Sequence, residues 1–258
     1  MVQSIRILIF SLTLLGVGLW LNGVAQQTLT VCPHCYHSLQ QAIQEANPGD
    51  VIIIEPGRYE EDIVIVGKDL TLQGAGVEKV ILIGSIEIHD ASVAISGITI
   101  EGGIRSHTIE RSQQELTVED CVIRNASHGL TIAGNTEALI RDNRIVSNDI
   151  GMELKEGTDS IIIGNDISHN TSFGVLKWFL AQAHLLENSI RENGDDGLVI
   201  LGAAFVERNV IRDNGDCGVW GVLSKSGAHV EGKDNEIANN KGGDLCPPDY
   251  PWPEGFKK

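Results

Sequence analysis

Three groups of residues in this chain have the types and spacing to do chemistry. Cys32-Pro33-His34-Cys35, with His37 close behind, offers soft thiolate and imidazole ligands within six residues. That set would suit copper or zinc. A Cys32–Cys35 disulfide, or packing of small apolar side chains, is the preferred alternative in an oxidising compartment. A redox role would need a thioredoxin-like βαβ setting, which the surrounding pattern lacks. Asp195-Asp196 is the adjacent aspartate pair, and with Glu153 it makes up the candidate acid and base for glycosidic-bond chemistry. Aspartate is also a favoured turn residue, and this pair falls between Asn193 and Gly197, so the turn reading takes precedence. The third group is aromatic and apolar: Trp178 and Trp220, with Leu176 and Val199, are candidates for stacking on a sugar or covering an interface. No cofactor is required by any of these patterns.

The elements that must position these residues come from one repeat. N-x-I-x-x-N, then two or three residues, then glycine and an apolar residue, returns five times between residues 138 and 243. The first asparagines are Asn143, Asn165, Asn188, Asn209 and Asn235, and the second are Asn148, Asn170, Asn193, Asn214 and Asn240. Steps of 22, 23, 21 and 26 residues define a solenoid of short strands. Coils of such a solenoid stack about 4.8 Å apart, so both asparagine sets should form hydrogen-bonded ladders, as stacked amides do. Asparagine tolerates the left-handed backbone of a tight corner, and Gly151, Gly174, Gly197, Gly218 and Gly243 are expected to take positive φ at a second corner. Ile145, Ile167, Ile190, Ile211 and Ile237 should stack inside. Runs such as Ile161-Ile162-Ile163 are too short for helices and rich in β-branched residues. The fold expected is all-β: a single-stranded parallel β-helix with coils of about 22 residues and a short N-terminal capping helix.

Residues 1–25 read as an export signal, with Arg6 ahead of the apolar run Ile7–Leu21 and small residues before Gln26. The run is short for a membrane span of at least about 18 apolar residues. The organisation expected is therefore 1–25 signal, 26–83 cap and first coils, 84–246 repeat coils, and 247–258 a Pro- and aromatic-rich tail. The product would be periplasmic or extracellular, without membrane association once the signal is cut. A net charge of −16 disfavours nucleic acid and uncompensated anionic polysaccharide as partners. Ser38 to Ala46 reads as a helix capped by Ser38 and stopped at Asn47-Pro48-Gly49, suited to closing the first coil.

Segment 38–76, SLQQAIQEANPGDVIIIEPGRYEEDIVIVGKDLTLQGAG, resembles the N-terminal stretch of pectinesterases and NosD-like periplasmic proteins of the pectate-lyase-like superfamily. The N-x-I-x-x-N coils resemble the NosD-like and the carbohydrate-binding and sugar-hydrolase repeats. The resemblance implies a right-handed β-helix in an exported protein, with carbohydrate the expected ligand class. It does not imply an activity, since a fold hosts many functions. The pectinesterase segment G-x-x-D-F-[IV]-F-G is absent, and no pectate-lyase calcium cluster with a matching Arg is found. A binding or structural module is thus expected ahead of a polysaccharide-acting lyase or hydrolase, or of a copper accessory protein.

Cys121 takes the corner position that Asn143 fills one coil later and should be a buried core residue. Cys217 and Cys246 are close enough in coil register for a bridge pinning the tail. After each glycine the first residue should point inward and the second and fourth outward. The last three coils then present Leu176, Trp178, Val199, Leu201, Trp220 and Val222 as an apolar strip. The tail is expected to fold back over the strip or the open end; otherwise the strip is an oligomer interface or a sugar platform.

Overall fold

The computed structural model describes residues 26–32, 36, 38–108, 113–222 and 230–256. The expected signal, residues 1–25, lies outside them, as do His34, Cys35 and His37. Among the described residues the chain winds about nine turns through three parallel sheets. Sheet 1 runs from strand Thr28–Val31 to Val230–Lys233, sheet 2 from Gly57–Glu60 to Glu236–Ala238, and sheet 3 from Ile63–Val66 to Gly243–Cys246. Each coil visits the sheets in that order, and every strand pairs with its equivalent one coil away.

Alternate residues point inward and stack by register into aliphatic rows. Ile145 pairs with Ile167, Ile167 with Ile190, Ile190 with Ile211 and Ile211 with Ile237, all buried. Leu72, Ile95, Val118, Ile140, Ile162, Leu185 and Val206 make the matching row of sheet 1. β-branched side chains suit this packing because they are stiff and fill a pleated surface.

Two asparagine ladders run down the corners. At the turn from sheet 1 to sheet 2, Asn143 Nδ2 donates to Asn165 Oδ1 at 3.0 Å, Asn165 to Asn188 at 3.0 Å, Asn188 to Asn209 at 2.9 Å and Asn209 to Asn235 at 3.1 Å. At the turn from sheet 2 to sheet 3, Asn148, Asn170, Asn193, Asn214 and Asn240 are linked the same way at 2.9–3.1 Å. Each Oδ1 also accepts the backbone N–H of the asparagine one coil before, as Asn188 Oδ1 does from Asn165 N at 3.0 Å. Cys121 stands at the head of the first ladder, its N–H donating to Asn143 Oδ1 at 2.9 Å.

Two expectations about the corners need correcting. The ladder asparagines are not the left-handed residues; the residue before each one is, for example Asp142, Ser147, Glu187 and Asp213 at φ 56–58° or, before Asn165, Gly164 at φ 69°. Nor do Gly151, Gly174, Gly197 and Gly218 take positive φ; of the five repeat glycines only Gly243 does. They are glycines for lack of room: a Cβ on Gly174 would sit 2.4 Å from Gly197 O and 2.8 Å from Asn193 Nδ2.

Both ends of the tube are closed. Helix Leu39–Glu45 is capped by Ser38 Oγ, which accepts from Gln41 N at 3.2 Å. Glu61 accepts from Leu39 N and Gln40 N at its start, and Lys68 Nζ donates to Ile43 O, Gln44 O and Ala46 O at its end. An anion at the N-terminus and a cation at the C-terminus complement the helix dipole. At the other end Gly221 and Gly232 hold inward positions, and the rings of Trp252 and Phe256 fill the space their side chains would occupy. These rings of the tail therefore plug the open end of the tube.

Candidate functional site

The outer face of sheet 3 carries one in-register row: Glu87, Arg105, Thr131, Glu153, Leu176, Val199 and Trp220. It begins ionic and ends apolar, and Glu153 stands at the change. Its carboxylate is buried and gathers three donors. Trp178 Nε1 donates to Oε1 at 2.9 Å. Lys155 Nζ lies 3.3 Å and His128 Nε2 3.5 Å from Oε2. His128 Nδ1 in turn lies 2.9 Å from Ser127 Oγ. His128 escaped the sequence reading, although its place just before Gly129 in an early copy of the repeat marks it as a residue at the edge of this face.

Glu153 fixes the position of Trp178. The indole N–H is pinned to a buried carboxylate, while the residue keeps 41 % of its surface exposed. Phe179 and Leu180 follow at 46 % and 69 %. At this corner, from sheet 3 to sheet 1, neighbouring coils turn on Gly134, Gly157 and Gly202 with positive φ. The Trp178 coil turns without a glycine, over four residues as in the Gly157 coil, closed by Ala181 N donating to Trp178 O at 3.1 Å. It is held between its neighbours, with Gly157 N donating to Leu180 O and no room for a Cβ at Gly202 beneath Phe179 O. Lys155, Glu156, Trp178, Phe179 and Leu180 line a groove of about 350 Å³.

The other candidates are distributed differently. Leu176 and Trp220 are half-buried, but Val199 between them is only 5 % exposed, so the strip offers a ligand less surface than its outward register implied. Asp195 and Asp196 sit at the corner from sheet 2 to sheet 3. Asp195 accepts from Ser172 Oγ at 3.3 Å, and Asp196, buried, accepts from Cys217 N at 2.8 Å. Burial, with Asp216 and Asp195 nearby, raises the Asp196 pKa. No hydrogen bond or ion pair joins either aspartate to Glu153 among the described residues. Asp195 and Asp196 serve the corner, whereas Glu153 stands on the outer face of sheet 3.

Cys217 and Cys246 are joined, Sγ–Sγ 1.99 Å, and pin the last strand of sheet 3 to the one before it. Cys217 lies with Asp196 and Asp216 in a cluster whose ligand-type atoms are within 4.8 Å of one another, but its sulfur is committed to the bridge. Cys32 is likewise disulfide-bonded, which removes the thiolate that a metal site there required. Cys121 is a buried free thiol whose pKa burial pushes up to about 12, so it is unreactive. One buried ionisable group had not been singled out. Lys177 is fully buried among the inward residues of sheet 3, between Leu154 and Ile200, with Nζ donating to Leu201 O at 3.0 Å. Desolvation lowers its pKa to about 8. The alternation that turns Leu176 and Trp178 outward turns Lys177 inward, so the signal was present.

Residues 84–246 match the family model described as the right-handed beta helix region. The chain belongs to that family, and its fold is the right-handed parallel β-helix of pectate-lyase and alginate-epimerase type. Among solved structures, the periplasmic alginate epimerase AlgG superposes with a TM-score of 0.57 at 14% identity, covering 77% of this chain and 59% of that one. Pectate lyase Pel9A superposes with a TM-score of 0.55 at 13% identity, covering 86% and 79%. These likenesses establish the fold. Among curated proteins, SHC SH2 domain-binding protein 1 homolog B of Xenopus laevis is 24% identical over 181 residues, 62% of this chain. The chain spans 25% of that relative's length. The fold is one that the two polysaccharide-acting enzymes, AlgG and Pel9A, share.

Proposed function

We propose that this is an exported carbohydrate-binding β-helix protein that receives its ligand on the outer face of sheet 3, beside Glu153. The observation carrying this reading is the anchored platform: Trp178 has its indole N–H fixed 2.9 Å from a buried carboxylate while its ring stays exposed. A rigid, flat, amphipathic ring beside polar groups is what a pyranose stacks against. Trp220 and Leu176 extend the apolar surface along the axis, and Lys155, Glu156 and His128 supply hydrogen-bonding groups at its edge. The net charge of −16 favours a neutral or cationic glycan over an anionic one. Export to the periplasm or cell exterior is supported by the leader-like residues 1–25 and by the Cys217–Cys246 bridge, a bond suited to oxidising compartments. Self-association through the half-buried Leu176 and Trp220 is an alternative use.

The test is a glycan-array screen of residues 26–258 beside Trp178→Ala and Trp220→Ala variants. Binding that Trp178→Ala abolishes supports the platform. A blank array, or binding indifferent to both substitutions, rejects it. A catalytic reading has one supporting observation, the Ser127–His128–Glu153 chain of contacts, and would show as breakdown of an array ligand that His128→Gln stops.

A further inference from the structure

One corner from sheet 2 to sheet 3 departs from its repeats. Just before the close-packed glycine, the later coils carry Asp149-Ile150, Ser172-Phe173, Asp195-Asp196 and Asp216-Cys217, each led by a turn residue. Ser127 keeps that pattern. His128 breaks it, and the coil that follows holds the buried carboxylate of Glu153.

The three side chains form a chain of contacts in a definite order. Ser127 Oγ lies 2.9 Å from His128 Nδ1, and His128 Nε2 lies 3.5 Å from Glu153 Oε2. With the Nε2 proton turned toward the carboxylate, Nδ1 carries the free electron pair and can accept the Ser127 hydroxyl proton. A hydroxyl, a base within reach of it, and a third group orienting the base are the parts of an activated nucleophile. Burial runs in the order such a site needs: Ser127 is exposed, the His128 side chain is 29 % exposed and that of Glu153 is 8 % exposed. The serine backbone is fixed as well. Ala126 N donates to the ladder amide of Asn148 at 3.1 Å, and Ser127 O accepts from Ile150 N at 3.0 Å. Lys155 Nζ, at 3.3 Å, holds the same Glu153 oxygen as His128, and Trp178 donates to the other. The serine and the indole platform are thus tied to one carboxylate.

We propose that Ser127 and His128, positioned by Glu153, hydrolyse acyl esters on the glycan held by Trp178. The substrate assignment rests on the glycan reading above; the acyl chemistry rests on the three side chains. Ser127 Oγ bonds to the ester carbonyl carbon as its proton passes to His128 Nδ1. The carbonyl carbon–alkoxy bond then breaks, and the same proton goes to the departing sugar oxygen, leaving an acyl-serine. Water attacks that ester, gives a proton to His128, and releases the carboxylic acid as the Ser127 hydroxyl is restored. An alcohol leaves more readily than an amine, so an ester suits this open corner better than an amide. The net charge of −16 favours a neutral chain, which makes the ester an O-acyl group on a sugar hydroxyl. Trp178 stands two coils beyond Ser127, roughly 10 Å along the axis, a span that a disaccharide bridges.

The experiment treats the purified protein with a fluorophosphonate probe, which labels activated serines, and assays it on para-nitrophenyl acetate and an O-acetylated xylo-oligosaccharide. Mass spectrometry should place the label on Ser127 and not on Ser172, the corner serine that has Phe173 in place of a histidine. Ser127→Ala should lose the label and about a hundredfold or more in rate, and His128→Gln about a hundredfold. Ser172→Ala should leave both unchanged. Glu153→Gln should lower kcat on para-nitrophenyl acetate about tenfold or more with KM unchanged, the mark of a positioning residue. Trp178→Ala should raise KM for the oligosaccharide about tenfold. Ser127 is exposed, so the Tm of Ser127→Ala should hold, which separates lost chemistry from lost fold. An unlabelled Ser127, hydrolysis that survives Ser127→Ala, or a Glu153→Gln variant with wild-type kcat would each overturn the acyl-transfer site. An acetylated oligosaccharide left intact while para-nitrophenyl acetate is cleaved would overturn its substrate. A blank glycan array beside a labelled Ser127 fails the sugar platform, whereas glycan binding with Ser127 unlabelled fails this inference alone.

Discussion

The asparagine ladders and Lys177 bury polar groups in the same tube, with opposite consequences. Each ladder amide is saturated. Asn188 accepts from the backbone and side chain of Asn165 and donates to Ile162 O and Asn209 Oδ1, at 2.8–3.0 Å. Lys177 has three N–H donors, a charge to desolvate, and a hydrogen bond to Leu201 O. A neutral amide chain repays its burial through a polarised network, whereas a buried ammonium with one carbonyl partner among the described residues does not. Periodicity makes the difference: a group repeated in every coil finds its partner one coil away, and a group that occurs once does not.

The largest effect should come from breaking a ladder in its middle. Asn188→Ala leaves the Asn165 N–H unpaired and removes one hydrogen bond each from the Asn165 amide, the Asn209 oxygen and Ile162 O. The Asn209 oxygen keeps the backbone N–H of residue 188, and the Asn165 amide keeps Ile140 O. At roughly 1–3 kcal/mol for the buried N–H left unpaired and about 0.5–1.5 kcal/mol for each of the three other bonds, the loss should be about 4 kcal/mol. A fall in Tm of about 10 °C or more in a calorimetric scan would follow. A loss under about 1 kcal/mol would mean that water enters the corner and the ladder is not a cooperative unit.

Gly174→Ala probes the same corner from the other side. Its Cβ would meet Gly197 O at 2.4 Å and Ile190 Cγ2 at 2.8 Å, in backbone and core that cannot swing away. Overpacking of this kind costs about 1–3 kcal/mol. Gly67→Ala is the control, because nothing lies within 4 Å of its Cβ and only its φ of +61° opposes the change. It should lose about 1–2 kcal/mol. Urea midpoints for the two variants check the order, and Gly67→Ala losing more would place the glycine requirement in φ after all.

The contrast between periodic and single features also decides what could be read from the chain. Asn143 to Asn240, the Ile145–Ile237 row and the Ser38 cap carry their reason in spacing and residue type, so the coil and its corners were legible. The reason for the repeat glycines was misread, because close approach of Gly174 to Gly197 is a contact between coils that single-chain propensity does not express. Val199 had the right register yet is covered by neighbours one coil either side, and burial of that kind depends on side-chain size in three coils at once. Glu153 drew notice as a weak acid candidate, but its role as the anchor for Trp178 needs His128 and Trp178 brought from the coils on either side of it. The stacking of Glu115 on Glu137 and Asp159 in sheet 1 is visible only after register is known.

Lys177→Met should change stability in the opposite direction. The Lys177 pKa falls from 10.5 to about 8 in the fold, so between those values the unfolded chain binds more protons and stability rises with pH. Below about pH 8 the ammonium is charged in both states, and its desolvation cost is present in full. Methionine removes that cost, for a gain of about 1–2 kcal/mol near pH 7 after solvent screening at the corner. Tm measured from pH 7 to 10.5 should climb more steeply in the wild type than in the variant, with the two converging at the alkaline end. Parallel curves would show that Lys177 is already neutral or hydrated.

The smallest effect should be at the surface, where Glu153 organises residues that are largely solvated. Glu153→Ala removes the acceptor for Trp178 and the counter-charge for Lys155, part-exposed groups that can turn to water once it is gone. Because the carboxylate itself is buried, its removal also ends a desolvation cost, so the net loss should be about 0–1 kcal/mol and Tm should shift by only a few degrees. The indole N–H of Trp178 reports more directly. In the wild type its nuclear magnetic resonance signal should sit downfield and exchange slowly, as a donor to a buried carboxylate. In Glu153→Ala it should move upfield and exchange faster, while Glu153→Gln, which keeps an oxygen acceptor, falls between. An indole signal indifferent to both substitutions would mean that Trp178 is not held as a platform, and the contrast between an organised surface site and a merely exposed ring would collapse.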